Sequence, residues 1–251
     1  MFPPIPFLGM NRLGRSCSRS VPRMVVYILA ILLGSKFAVA QTASPECSWP
    51  HKAATYDYRI EKRSFAPIEN RHFPPQVEAL VRGSTTSAIG ADIDYMLDKV
   101  PNHHRALLSL VRLGERDKTD NIRGTKGSVG CYFERALGFR SDDTTVRLIY
   151  ATFLSKHARE PEATRQLEMA ASDAGDNPFT HYNIGLVYFD MKNYDRALAQ
   201  AHKAYGLGFG SPNLRDQLMA AGKWAESVAH SPVAIDGKSS DSSAATPSKS
   251  D

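Results

Sequence analysis

The sequence predicts an all-α chain: a short right-handed solenoid of about three helical hairpins, closed by a C-terminal capping helix. Three observations carry this. Small and large apolar residues recur at a fixed interval of 34 residues between positions 144 and 204, as expected where each unit is too small to bury its own apolar face. The stretches that hold them place apolar residues at helical spacing, and Gly- and Pro-bearing segments separate them. At 42 % hydrophobic and 23 % charged, the chain has an ordinary globular composition that can bury a core. That composition excludes collagen-like, disulfide-dense and multispanning membrane classes.

Residues 1–40 read as an export signal. Arg12, Arg15, Arg19 and Arg23 precede the apolar run Met24–Leu33, and Gly34-Ser-Lys-Phe-Ala38-Val-Ala40 follows it. A positive segment, a short apolar segment and a small-x-small site make a secretory signal peptide. About ten apolar residues fall short of the ~20 a membrane-spanning helix needs. Ala38 and Ala40 are the expected recognition residues, with the cut before Gln41; an uncleaved anchor is the alternative. The same forty residues explain the net charge. The chain has 31 Lys+Arg against 26 Asp+Glu, a net charge of +5. Four arginines and Lys36 lie before Gln41 with no acid, which leaves 26 basic against 26 acidic residues beyond it. The surplus is an address and not a nucleic-acid footprint. No stable membrane insertion is expected after cleavage, and the destination is read as a bacterial periplasm.

Two cysteines remain after such processing, Cys47 and Cys131. An even count in an oxidising compartment favours a disulfide. The alternative is a buried thiol at Cys131 and a free Cys47. Residues 41–83 hold Pro45, Pro50, Pro67 and Pro74-Pro75 among the aromatics Trp49, Tyr56, Tyr58, Phe65 and Phe73. They read as an ordered but irregular N-terminal arm.

The helical domain is expected over residues 84–228. Ala88–Val100 has helical periodicity and stops before Pro101, as the second helix of a degenerate leading unit would. Asn102–Val111 and Val129–Leu137 read as a hairpin split by a polar, glycine-bearing loop over 114–128, with about nine residues inserted when Val111 is placed opposite Leu154. The next two units align strictly: Ala151 falls on Gly185, Leu154 on Tyr188, Ala163 on Ala197 and Ala170 on Ala204. Pro212–Trp224 puts apolar residues on one face and charges on the other, which suits a terminal cap. Residues 229–251 run out in Ser, Asp, Lys, Ala and Pro and read as a disordered tail.

The segment Pro178–Ala204 resembles a tetratricopeptide repeat (TPR) through Ile184, Gly185, Tyr188, Tyr194, Ala197 and Ala204. The preceding copy resembles it through Ala151, Leu154, Ala163 and Ala170, and departs at Glu160. The chain is also similar to exported bacterial repeat proteins, which implies no activity. The resemblance implies a groove lined by the first helix of each pair. Carried onto the matching copies, its residues are Arg105, Ser109 and Arg112, then Leu148, Thr152 and Ser155, then Tyr182, Leu186 and Phe189. A basic end grades into an aromatic one. An extended peptide or partner helix suits such a surface; the arm filling its own groove is the alternative. Carboxylate specificity of the kind the family shows would need a Lys/Asn set, and only Asn183 is comparably placed.

The search for chemistry yields little. His103 and His104 are adjacent and diverge on a helix, and His181 and His202 sit on different helices. Gly206-Leu-Gly-Phe-Gly210 follows a helix, where helix termination explains it. Gly124–Ser128 lacks the order of a phosphate loop. Asp142-Asp143 suits a helix cap, and Asp92, Asp94 and Asp98 have no base or metal set beside them. No catalytic residue, metal or cofactor is expected. The function read from the sequence is a non-catalytic protein–protein interaction module or scaffold of the cell envelope. The alternative is an accessory subunit or enzyme with its chemistry in the arm and the 114–128 loop.

Overall fold

A computed structural model describes Cys47 and residues 55–226. The expected signal peptide and its cleavage site, most of residues 41–54 and the C-terminal tail lie outside the described residues. Those described form ten α-helices and no strand: α1 (Lys62–His72), α2 (Pro75–Glu78), α3 (Ile89–Lys99), α4 (His104–Asp117), α5 (Val129–Phe139), α6 (Thr144–Lys156), α7 (Glu160–Asp173), α8 (Pro178–Asp190), α9 (Tyr194–Gly206) and α10 (Asn213–Ala220). None of them is long and apolar enough to cross a membrane.

The helices lie in two rows. In one row α2 packs on α4, α4 on α6, α6 on α8 and α8 on α10. In the other, α3, α5 and α7 each pack on the following first-row helix, while α5, α7 and α9 also fold back on the helix before them. The α6/α7 and α8/α9 pairs are the most intimate. Fully buried Ala151, Ala163, Ala170, Ala197, Ala201 and Ala204 let those backbones approach closely. Gly185 shows how closely: a Cβ there would lie 2.6 Å from Leu214 Cδ2 of α10.

Local signals set the first-row helices α4, α6 and α8 in register. The side chains of His103, Asp143 and Asn177 accept hydrogen bonds from Ala106, Val146 and Thr180 at the N-termini of α4, α6 and α8, satisfying amides that the helix leaves unpaired. The other ends share a second device. Lys118, Ala158 and Lys192 have positive φ. The amides that follow them, of Thr119, Arg159 and Asn193, donate to the carbonyls of Gly114, Leu154 and Tyr188 five residues back. This is the Schellman geometry, made without glycine. Leu80 and Val81 close the short α2 in the same way. Caps and ends thus repeat at 40 residues and then at 34. A buried polar pair follows the second interval: Arg147 donates to Gln166 at 2.8 Å, and His181 meets Gln200 at 2.8 Å one interval later.

Three expectations are corrected. Residues 41–83 are not irregular throughout, because α1 and α2 form within them. Pro67 is exposed inside α1, so the carbonyl it leaves unpaired can face water. Pro75 takes the first position of α2, where no amide is needed,. Phe65, Phe73 and Val77 anchor this arm with at most 1 % of their surface exposed, each contributing about 1.5–3 kcal/mol of burial. Second, the loop after α4 begins at Lys118 and not at Gly114, which is buried within the helix. It is no free surface loop. Ile122 is buried, the Lys126 amide donates to Asp94 and to the Tyr132 hydroxyl, and Lys126 Nζ reaches Asp98 at 3.3 Å. Third, the cap interval of 40 places Gly114, not Val111, opposite Leu154.

Cys47 and Cys131 are bonded, with Sγ–Sγ 2.10 Å. Cys131 is buried on α5, and Ser128 Oγ lies 3.4 Å from its sulfur.

Candidate functional site

The register decides which side chains line the first row. On α6 and α8 the expected positions share one helical face at i, i+4 and i+7. On α4 the cap interval makes Leu108, Arg112 and Glu115 the counterparts of Leu148, Thr152 and Ser155. Glu115 lies level with the end of α6, accepting from Lys156 at 2.7 Å.

The nine expected groove residues therefore separate. Arg105 turns to the arm: Nη1 bonds Glu69 at 2.8 Å, Nε bonds Glu78 at 2.7 Å, and Nη2 holds the other Glu78 oxygen. Ser109 is buried and donates to the Glu78 carbonyl. Tyr182 is buried beneath the α9–α10 connection, its ring 4.2 Å from that of Phe209 and its hydroxyl beside Ser211. Arg112, Leu148, Thr152, Ser155, Leu186 and Phe189 keep part of their surface exposed. With Leu108, an exposed leucine, they make a strip across α4, α6 and α8. Phe189 is steadied edge-on by Tyr194 at 5.5 Å, and Thr152 donates to its own helix at Leu148. Arg112 forms no ion pair among the described residues. Leu108 and Glu115 were missed in the sequence because the split unit was aligned three residues out of register.

The strongest electrostatic feature lies elsewhere, where the arm meets the α3–α4 and α5–α6 connections. Asp57, Asn102 and Asp143 are each at most 1 % exposed. Asn102 Nδ2 donates to Asp57 at 2.8 Å and to Asp143 at 3.0 Å, and its Oδ1 accepts from the Tyr58 amide at 3.0 Å. Arg59 spans Asp57 and Asp142, Arg140 donates to Asp57 at 2.7 Å, and His104 meets Asp143 at 2.9 Å. The Arg59 guanidinium holds the Asp57 carboxyl far below its usual range, with Asn102 and Arg140 assisting. Burial alone would raise Asp143, but hydrogen bonds and charge from His104, with Asn102 and the Val146 amide, bring it below its usual value. Both carboxylates are therefore ionised and internally matched, which suits a clamp.

His103 is fully buried among Tyr58, Phe65 and Phe73. Its Nδ1 accepts the Ala106 amide at 3.1 Å, so the neutral ring carries its proton on Nε2, 3.5 Å from Glu69. Burial first, then the charge of Arg105, pushes its pKa down to about 3. Asp92 caps the turn over 84–86, accepting from the Ser84, Thr85 and Thr86 amides. Asp94 and Asp98 hold the 118–128 loop. His202 stacks on Trp224 at 4.8 Å. Among the described residues no group of three or more His, Cys, Asp or Glu side chains is arranged to hold a metal ion.

No family model matches the chain, and neither a curated protein nor a solved structure matches it.

Proposed function

We propose that the chain is a non-catalytic, TPR-like interaction module, exported by its N-terminal signal, that binds a peptide or partner-protein segment along the first helical row. One observation carries the reading. A strip of partly exposed apolar side chains crosses α4, α6 and α8, with Arg112, which forms no ion pair among the described residues, at one end, while the buried polar groups of Asp57, Asn102 and Asp143 are spent on internal partners. The repeated caps, the repeated glycine-free helix ends and the Arg147–Gln166 and His181–Gln200 pairs support the tandem-hairpin reading. Among the described residues, the arm's hydrogen bonds and ion pairs with α4 engage Arg105, Ser109 and Arg116.

The test is site-specific photocrosslinking of the full chain in its native compartment. Probes at Leu148 and Phe189 should yield a discrete adduct, and Arg112→Glu should reduce it at least about tenfold, the loss of one charge-assisted contact. A probe at Arg165, on the second row, serves as control. Equal adducts from Arg165, or none from the strip, would overturn the proposal.

A further inference from the structure

We propose that α1 and α2 form an acid-opened cover on α4: when His103 takes up a proton, the two helices lift from the start of α4, while the α6–α9 hairpins keep their structure. The inference is independent of the binding strip. It rests on what His103 does with its two ring nitrogens. Nδ1 accepts the Ala106 amide at 3.1 Å as the N-cap of α4. Nε2 has no hydrogen-bond partner. Glu69 Oε1, 3.5 Å from Nε2, already accepts from Arg105 at 2.8 Å. The rings packed on the imidazole, those of Tyr58, Phe65 and Phe73, all come from the arm.

A charged imidazole donates from both nitrogens and accepts at neither. A proton on His103 therefore removes the cap of α4 and strands a cation among apolar rings. Asp143 and Asn177 cap α6 and α8, and neither can become a cation. The conflict at His103 is relieved when water reaches the ring, and the side chains that shut water out belong to the arm. Both ends of the cover are held by contacts that do not involve His103: Asp57 by Asn102, and the turn over 84–86 by Asp92. Opening between them is thus local.

The groups that face His103 set the sign. Burial first, then the charges of Arg105 and His104 on α4 and of Lys62 on α1, disfavour the cation and push the pKa down to about 3. Glu69 is the facing acid, and Arg105 occupies it. Once exposed, the ring returns to about 6.5. Opening then binds a proton, so the closed state is fully favoured above that pH and loses ground as pH falls below it. His72 and His104 meet Asp92 at 3.3 Å and Asp143 at 2.9 Å, so a charge on either ring pairs within the closed structure and does not open it.

Amide hydrogen exchange of the full chain at about pH 7.5 and about pH 5, expressed as protection factors with α8 as internal reference, tests this. Proton binding by an exposed ring favours the open state about 30-fold more at the lower pH. Protection of α1 should therefore fall about 30-fold relative to α8. His103→Asn keeps a capping oxygen and should hold the fall to within about threefold. His72→Gln keeps His103 and should retain the whole fall. Unchanged α1 protection in the unmodified chain, or an equal fall in α8, overturns the proposal. So does a fall that persists in His103→Asn or disappears in His72→Gln.

Discussion

Replacing Asn102 by alanine should undo the clamp between the arm and the helical rows. The amide is fully buried and makes three hydrogen bonds, at 2.8 Å to Asp57, 3.0 Å to Asp143 and 3.0 Å from the Tyr58 amide. The neutral bond to Tyr58 contributes about 1 kcal/mol, and each bond to a carboxylate contributes about 1.5 kcal/mol or more. The three together set a loss of about 4 kcal/mol. Asp57 keeps Arg59 and Arg140, and Asp143 keeps His104, so the effect should settle at about 3–4 kcal/mol. That is a large share of the ~5–15 kcal/mol a domain commonly holds, yet compatible with folding. Urea denaturation at pH 7 reads the loss as a lower midpoint at unchanged slope, and faster exchange of the Tyr58 amide locates it. A loss below about 1 kcal/mol would refute the clamp as the arm's main polar anchor.

Asn102→Asp gives a second, independent signature. A third carboxylate between two anions, in a buried site, has its folded pKa raised above the unfolded value of about 3.9. The native state then binds more protons than the unfolded state between those two pKa values. Stability therefore falls as pH rises through that window and recovers on acidification. Asn102→Ala should show no such recovery.

Other expectations follow from the same contacts. His103, with its pKa pushed down to about 3, stays neutral in the fold while the unfolded ring protonates near pH 6.5; stability should fall by about 2 kcal/mol between pH 6.5 and 5. His103→Asn keeps an N-cap and should flatten that slope, read by denaturation at each pH, while losing aromatic packing at pH 7. Asp57 and Asp143 both have depressed folded pKa values, so their contribution is present above the unfolded carboxylate range and lost as pH drops below it. Asp57→Asn should weaken the acid limb of the stability curve. Ala158→Gly and Lys192→Gly relieve positive φ and should each raise stability by about 0.5–1 kcal/mol, after the entropy glycine adds to the unfolded chain; a lower melting temperature would count against strain at these turns. Gly185→Ala gains about 1 kcal/mol of helix propensity but forces a Cβ onto buried Leu214, where overpacking costs about 1–3 kcal/mol. It should lower the melting temperature of the full chain.

The all-helical class, the α6–α9 hairpins and the Cys47–Cys131 pairing were legible in the sequence, and each had a plain physical signal. Small residues such as Ala163, Ala170, Ala197 and Ala204 mark close helix approach, and with Cys17 placed in the expected signal peptide, Cys47 and Cys131 are the two cysteines left to pair. The arm was less legible. Pro67 and Pro74-Pro75 argue against helix when read singly, and only the burial of Phe65, Phe73 and Val77 against the rows shows why helix wins there. The clamp was not legible at all. Asp57, Asn102 and Asp143 are separated by 45 and 41 residues, and nothing local in the sequence tells a buried aspartate from a solvated one.

The misplaced register at α4 has a more specific cause, and it bears on the candidate site. Small-residue matching works where backbones touch, as at Ala151 and Gly185. In α4 the same position is held by Val111, which looks like a core residue of another layer. The positions that do carry register through all three units are the caps and the positive-φ ends. Here those are held by residues that do not advertise the role: a histidine at 103, and Lys118, Ala158 and Lys192 where glycine is the common choice. A slip of three residues on a helix turns its face by about 60°, enough to exchange Arg105 and Ser109, which belong to the arm, for Leu108 and Glu115, which border α6. Arg112 belongs to the face under either alignment, because the i+7 position of one register is the i+4 position of the other. That invariance, more than its charge, makes Arg112 the residue on which the proposed binding surface can be tested without first assuming the register.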